Sequence, residues 1–329
     1  MTYLIIRFST LGNVAMTVPV VASLSKRYTD DKFIVAGKKE LSAMFAQMPN
    51  VEFYEVDNRL DWHGVIQLWR DLKGRIDSVI DLQDVRRTRV LDLLMQLSGK
   101  RVTRVHYGRL RKQLIVQLGR KSQPLPSEFE RYRDAFRRAG LETDTDFEAI
   151  PVNKQAAKVI DERFGKKNGK WIGVAPFAKS RSNMLPYSVT KEVLQRLTNN
   201  ADTTVFLFGA GAVECEMLRQ WASVFPQTIS IAGTLRLEEE LELMRKLDVM
   251  ICMDSANQHL SSLVGLRAIS VWCATHPCIG FMGWKQDPND IVQLDDLRCR
   301  PCTCHGTNHC RYGNFACREI KAETIIQHI

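Results

Sequence analysis

The feature that most constrains this chain is a rhythm. Short apolar runs alternate with amphipathic stretches, the alternation stops near residue 150, and then it begins again. Residues 3–8, 33–36, 51–56 and 78–82 read as strands, with helical periodicity over 14–28, 63–73 and 86–97. Runs that stay apolar on successive residues suit strands buried on both faces, the condition of a parallel sheet. Acids, threonines and Pro151 break the rhythm over 141–153. It resumes with strands at 171–175, 203–208, 229–231, 249–253 and 268–272, and helices at 187–198, 213–223, 237–246 and 257–264. The expectation is an α/β protein of two Rossmann-like, doubly wound domains, 1–150 and 151–318, with ligands held in a cleft at the carboxyl ends of the strands. Its 329 residues suit two domains. A short helical pattern at 319–329 is expected to cross back onto the first domain. One larger α/β domain is the alternative.

The net charge of +9 is unevenly placed, since residues 100–121 hold eight Lys/Arg and no acid. Interleaved with Leu110, Leu114, Ile115 and Leu118, this stretch suits nucleic acid, an anionic membrane surface or a phosphorylated substrate, or simply a solvated helix face. The apolar opening is too short for a signal peptide, and no run approaches the roughly 20 apolar residues that span a bilayer. The expected location is cytoplasmic, with any membrane contact peripheral. In a reducing compartment, nine cysteines argue for thiols or a metal over disulfides.

Four strand-to-helix turns carry candidate chemistry. The first, Ser9-Thr10-Leu11-Gly12-Asn13, turns into a helix whose free N–H groups favour negative charge. It lacks the G-x-G-x-x-G spacing, which disfavours a dinucleotide-binding dehydrogenase. The second, 175–183, offers Lys179, Ser180, Arg181 and Asn183, the mixture of donors and cations that a diphosphate needs; a solvated basic loop is the alternative. In the third, Gly209 permits a tight turn and Glu214 is suited to ribose hydroxyls or, more plainly, to complementing a helix N-terminus. The fourth joins Asp254 to Ser255, Ala256 and His259. Here a carboxylate could hold sugar hydroxyls while the helix start holds phosphate; a serine cap beside a core histidine is the alternative.

A fifth constellation, Cys299, Cys302, Cys310 and Cys317 with Cys304, His305 and His309, has a spacing compatible with a structural four-thiolate zinc. Reduced thiols packing a long loop, or disulfides, remain open. Far in sequence from the donor loop, the cluster reads as structural.

The segment 254–265 resembles the D-S/T-G/A-x-x-H-x-A hallmark of the bacterial lipopolysaccharide heptosyltransferases, glycosyltransferase family 9. The stretches 7–19, 209–214, 272–277 and 283–284 are similar to the same family, in the same order. The resemblance implies a GT-B fold of two Rossmann-like domains facing a central cleft. It further implies an ADP-heptose-like donor on the C-terminal half and a lipid-linked saccharide acceptor on the N-terminal half, near Ser9, Thr10 and Gly12. Transfer would invert the anomeric centre with no required cofactor and no nucleic-acid partner, beside an anionic inner membrane. In the family an acid follows the first glycine as general base, and a lysine three residues before a proline neutralises the leaving diphosphate. This chain has Asn13 and Asn183 at those positions. A carboxamide neither accepts a proton near pH 7 nor carries charge, and a missing general base costs about 10²–10⁴-fold. The alternative is therefore a catalytically impaired homologue that binds sugar nucleotide or glycolipid.

Overall fold

The computed structural model describes residues 1–56, 61–118 and 124–329. Arg120 and Lys121 of the basic stretch lie outside the described residues. In chain order the elements are β1 (Thr2–Ile6), α1 (Leu11–Ala15), α2 (Val18–Arg27), β2 (Lys32–Gly37), β3 (Val51–Glu55), α3 (Trp62–Leu72), β4 (Ser78–Asp81), α4 (Arg86–Leu97) and β5 (Arg101–Arg104). Next come α5 (Arg109–Leu118), α6 (Glu128–Arg138), α7 (Lys154–Phe164), β6 (Lys170–Ala175), α8 (Tyr187–Thr198), β7 (Thr203–Leu207), α9 (Ala212–Val224) and β8 (Thr228–Ser230). The chain closes with α10 (Leu237–Lys246), β9 (Val249–Met253), α11 (Ala256–Leu263), β10 (Ala268–Trp272), β11 (Ile291–Gln293) and α12 (Ala322–Ile326).

Two sheets result, ordered β3-β2-β1-β4-β5 and β11-β10-β9-β6-β7-β8, with every strand pair parallel. Every residue of β9 and β10 is buried, which is why these strands read as unbroken apolar runs. In each sheet the winding reverses beside the unit's first strand, between β1 and β4 and again between β6 and β9. The loops that leave the carboxyl ends of such a pair diverge to opposite faces and open a crevice between them.

The chain divides into two compact units, 1–107 with 126–151 and 108–125 with 152–329. The break at 151/152 lies within the stretch 141–153 where the rhythm of the sequence stops. Residues 108–125 differ from expectation, because they group with the second unit. There Lys112 and Ile115 of α5 are buried, Lys112 lies over the Phe281 ring at 4.8 Å, and the Leu125 N–H donates to the Cys278 carbonyl at 2.8 Å. The terminal helix also differs from expectation. Instead of crossing over, α12 packs on α8, and Ile320, Ala322 and Ile325 join the second unit's core.

The single helix expected over 14–28 is broken in two. Pro19, in the first turn of α2, has no N–H with which to continue a helix. Thr17 at the break donates its hydroxyl to the Val14 carbonyl at 2.7 Å.

Candidate functional site

The second unit places its chemistry at the β6/β9 reversal. Asp254 follows β9, and Asn183 lies in the loop after β6. They meet there, the Asn183 Nδ2 donating to Asp254 Oδ2 at 3.4 Å. Thr275, beyond β10, donates its hydroxyl to the same oxygen at 2.6 Å, and Gln258 Nε2 donates to Oδ1 at 3.1 Å. Asp254 is thus a hub joining three strand-end loops and the first turn of α11. Burial pushes its carboxyl up to about 6 despite the hydrogen bonds from Thr275 and Gln258. His259, one turn into α11, is pushed down to about 4 by burial, so its imidazole is neutral at pH 7.

Among the described residues, three buried polar atoms on the start of α11 have no hydrogen-bond partner: Ser255 Oγ, Gln258 Oε1 and His259 Nδ1. Buried polar atoms are rarely left unpaired in a folded protein. Here they surround a helix N-terminus, whose free N–H groups and dipole favour an anion. Ala256 is the first residue of that helix, and Ser255 caps it through the backbone alone.

The loop after β6 splits in its behaviour. Lys179 and Arg181 are exposed and Ser180 is half-buried, whereas Ser182 and Asn183 are buried. Arg181 lies over the Phe315 ring at 5.4 Å, and its N–H donates to Asn308 Oδ1 at 3.1 Å. Asn183 is pressed from the other side by Gly306, at φ +89°. A Cβ there would come within 2.9 Å of the Asn183 amide, so only glycine fits.

The cysteine-bearing loop is therefore a wall of this site, although sequence distance suggested otherwise. The Ser182 N–H donates to the Thr307 carbonyl at 3.1 Å, and the Thr307 N–H donates to Ser182 Oγ at 2.9 Å. Arg300, fully buried, donates to the carbonyls of Leu294, Trp272 and Thr275 and to Gln293 Oε1, at 2.7–3.0 Å. The zinc expected from Cys299, Cys302, Cys310 and Cys317 is not supported. Among the described residues no group of three or more His, Cys, Asp or Glu is arranged to hold a metal, and all nine cysteines are free thiols. The thiols of Cys299 and Cys302 nonetheless lie side by side, with Cys310 and Cys317 near enough to interact with them. Cys302 donates to the Cys299 carbonyl at 3.1 Å, Cys317 is buried in the apolar core, and Cys310 accepts the Phe315 N–H at 3.4 Å.

Glu214 is turned back on its own loop. Its Oε2 accepts the Ala210 N–H at 3.0 Å, and Gly209 lets α9 approach, since a Cβ there would meet Leu218 at 2.7 Å. That geometry favours helix-start complementarity for Glu214 over ribose binding.

In the first unit the β1/β4 reversal carries Ser9, Thr10, Gly12 and Asn13 on one side and Asp81–Asp84 on the other. Arg7 bridges the two, its Nη1 donating to Gln83 Oε1 at 3.0 Å. Asn13 Nδ2 donates to Ser9 Oγ at 2.8 Å and Thr10 Oγ1 at 3.1 Å, and Gly12 is buried in α1. Asn13 therefore acts as a donor that ties the loop together. Thr275, Gln258, Arg300 and Gly306 escaped sequence reasoning as site residues. Gln258 and Thr275 stood inside quoted motifs, while nothing local marked the other two.

The family model of glycosyltransferase family 9 (heptosyltransferase) matches residues 65–310. The lipopolysaccharide core heptosyltransferase OpsX of Haemophilus influenzae is 21% identical, covering 83% of this chain and 79% of the relative. The structure of E. coli ADP-heptose lps heptosyltransferase II superposes with a TM-score of 0.73 at 17% identity, covering 99% of this chain and 97% of the other. E. coli heptosyltransferase WaaC with ADP gives 0.65 at 16% identity, covering 100% and 97%. These likenesses establish the fold class as GT-B, with its two Rossmann-like sheets.

Proposed function

Because the chain belongs to glycosyltransferase family 9, the heptosyltransferases, we propose that it transfers a heptose-like sugar from an ADP-linked donor to a lipopolysaccharide-core or related glycolipid acceptor. The observation that carries this reading is the start of α11. Buried, unpartnered Ser255 Oγ, Gln258 Oε1 and His259 Nδ1 surround a helix N-terminus beside the Asp254 hub. A diphosphate docked there would accept from the helix N–H groups, with Lys179 and Arg181 as nearby loop cations. An ADP moiety fits the reading because similar proteins are described with ADP or ADP-heptose.

In the reaction the acceptor hydroxyl oxygen bonds to the anomeric carbon, the carbon–oxygen bond to the diphosphate breaks with inversion so that the nucleoside diphosphate leaves with the bonding pair, and the hydroxyl proton passes to solvent water, since Asn13 offers no base. No metal is needed for these steps; charge growing on the diphosphate is met by the helix start. The acceptor side is the Ser9–Asn13 loop, and the basic stretch 100–121 supports a peripheral station on the cytoplasmic face of an anionic membrane.

A second reading, sugar-nucleotide or glycolipid binding without efficient turnover, is favoured by one specific observation. Asn13 and Asn183 are both committed to internal hydrogen bonds, and neither supplies a base or a cation. A thermal-shift panel of ADP-, UDP- and GDP-sugars followed by a donor-hydrolysis assay separates the two. ADP-sugars should stabilise selectively, and Asp254→Ala should abolish the shift. Turnover in the unaltered protein supports transfer; stabilisation without hydrolysis, with turnover gained in Asn13→Asp/Asn183→Lys, supports the impaired reading. A folded protein that no sugar nucleotide stabilises refutes transfer and sugar-nucleotide binding alike.

A further inference from the structure

The proposed transfer makes no use of two buried acids at the end of β4. Asp81 closes that strand and Asp92 lies on the inner face of α4, and both are fully buried. Thr88 and Asp92, one turn apart on α4, approach the Asp81 carboxyl together. One oxygen of each acid is well served. Asp81 Oδ1 accepts the N–H groups of Gln83 at 2.7 Å and Asp84 at 3.0 Å, and Asp92 Oδ2 accepts from Arg104 Nε. The other two oxygens, Asp81 Oδ2 and Asp92 Oδ1, are buried with no hydrogen-bond partner among the described residues.

Two carboxylates this close and this dry cannot both stay ionised, whereas one proton between them removes a charge and pairs both idle oxygens. The surrounding charges leave room for that proton. Arg104 of β5 offsets one carboxylate, Asp84 adds negative charge from the loop, and Arg89 of α4 is taken up by Asp84 at 2.8 Å. Burial and the neighbouring acid charge push both carboxyls up from the usual carboxylate range. Asp84, Arg89, Arg104, His106 and Arg138 line a cavity of about 430 Å³ beside the pair, through which a released proton reaches solvent water. Arg138 is itself paired with Asp134 at 2.9 Å.

The pair also anchors the turn above it. There Asp84 sits at φ +47°, a conformation that non-glycine residues keep only when their surroundings impose it, and Asp81 Oδ1 imposes it through two N–H groups. Gln83 in the same turn accepts from Arg7 Nη1 at 3.0 Å, and the Arg7 carbonyl accepts the Ser9 N–H at 3.1 Å. A continuous relay thus runs from α4 to the Ser9–Asn13 loop. We propose that Asp81 and Asp92 share a single proton and act as a pH-sensitive latch on that loop, closed while the proton is held and loosened when it passes to water. The latch does not depend on what the Ser9–Asn13 loop binds. A carboxyl raised in the folded state stabilises fully below its unfolded value, about 4, and that contribution is lost as pH rises through the folded value.

Hydrogen exchange of the full chain, read as protection factors at pH 5, 6, 7 and 8, is the test. In the wild type, protection at the Ser9, Gln83 and Asp84 amides should fall by up to about tenfold per pH unit and level off once the proton has left. In Asp92→Asn it should stay level, because a carboxamide donates the same hydrogen bond to Asp81 with hydrogens that do not titrate. Asp81→Asn makes the reciprocal bond and keeps the test decisive if the first variant fails to fold. Level protection in the wild type overturns the proposal. So does a fall that persists in the folded variants, or one that His106→Asn abolishes instead. A fall confined to Gln83 and Asp84, with Ser9 unmoved, breaks the relay and overturns the latch as well.

Discussion

Asp254 and His259 stand five positions apart, and one cause, burial, pushes them in opposite directions. Each is shifted toward its neutral form: at pH 7 the His259 imidazole is neutral, whereas the Asp254 carboxyl, at about 6, is still mostly ionised and held by Thr275 and Gln258. The cost falls at opposite ends of the pH scale. For Asp254 the folded value lies above the unfolded one, so its contribution to stability is full below about 4 and is lost as pH rises through about 6. For His259 the folded value lies below, so stability is present above about 6.5 and is lost as pH falls through about 4. His259→Gln removes the second term. Urea unfolding at pH 7.5 and 4.5 should show the variant losing less stability across that window than the wild type, by up to about 3 kcal/mol. An identical loss in both proteins would mean that His259 is not buried neutral. These two residues were legible beforehand, because strand, carboxylate and helix start are contiguous in the chain. The partners of Asp254 were not all so placed: Asn183 lies 71 positions away, and no local pattern announces that contact.

Elements were legible where one physical rule governed them. β9 and β10 are buried throughout and stood out as apolar runs. α6 escaped because its buried face includes Glu128 and Arg131, an ion pair inside the first unit that breaks the apolar periodicity. The place of the loop 299–317 against the site escaped for a different reason: its order comes from a buried cation. Arg300 satisfies three carbonyls and a side-chain amide that would otherwise lie unpaired in the interior. Arg300→Ala should therefore cost at least about 3 kcal/mol, since each abandoned buried acceptor costs roughly 1–3 kcal/mol. Arg300→Lys should recover only part, because an ammonium lacks the planar fork. Urea midpoints give the first quantity. ADP-sugar thermal shift gives the second consequence, a weakened site, because the same loop holds Ser182 through Thr307. Wild-type nucleotide binding in a destabilised Arg300→Ala would separate the loop from the site.

At the scale of the molecule, the rhythm of the sequence located two sheets, while residues 108–125 group with the second unit. Periodicity reports which face of a helix is apolar and says nothing about which core receives it. α5 shows the ambiguity plainly: Lys112 and Ile115 are buried, while Leu110, Leu114 and Leu118 are exposed. Its membership in the second unit makes a prediction that the continuous-domain picture does not. Ile115→Asp puts an unpaired carboxylate into a buried position, at a cost of several kcal/mol or an equivalent local opening. Hydrogen exchange should then rise around Cys278, whose carbonyl accepts from Leu125, and around Phe281, which lies under Lys112. Amides of β1, β2 and β4 should exchange as in the wild type, because the first unit's core has no side chain from this helix. Increased exchange confined to β4 and β5, with 276–282 unchanged, would return the segment to the first domain.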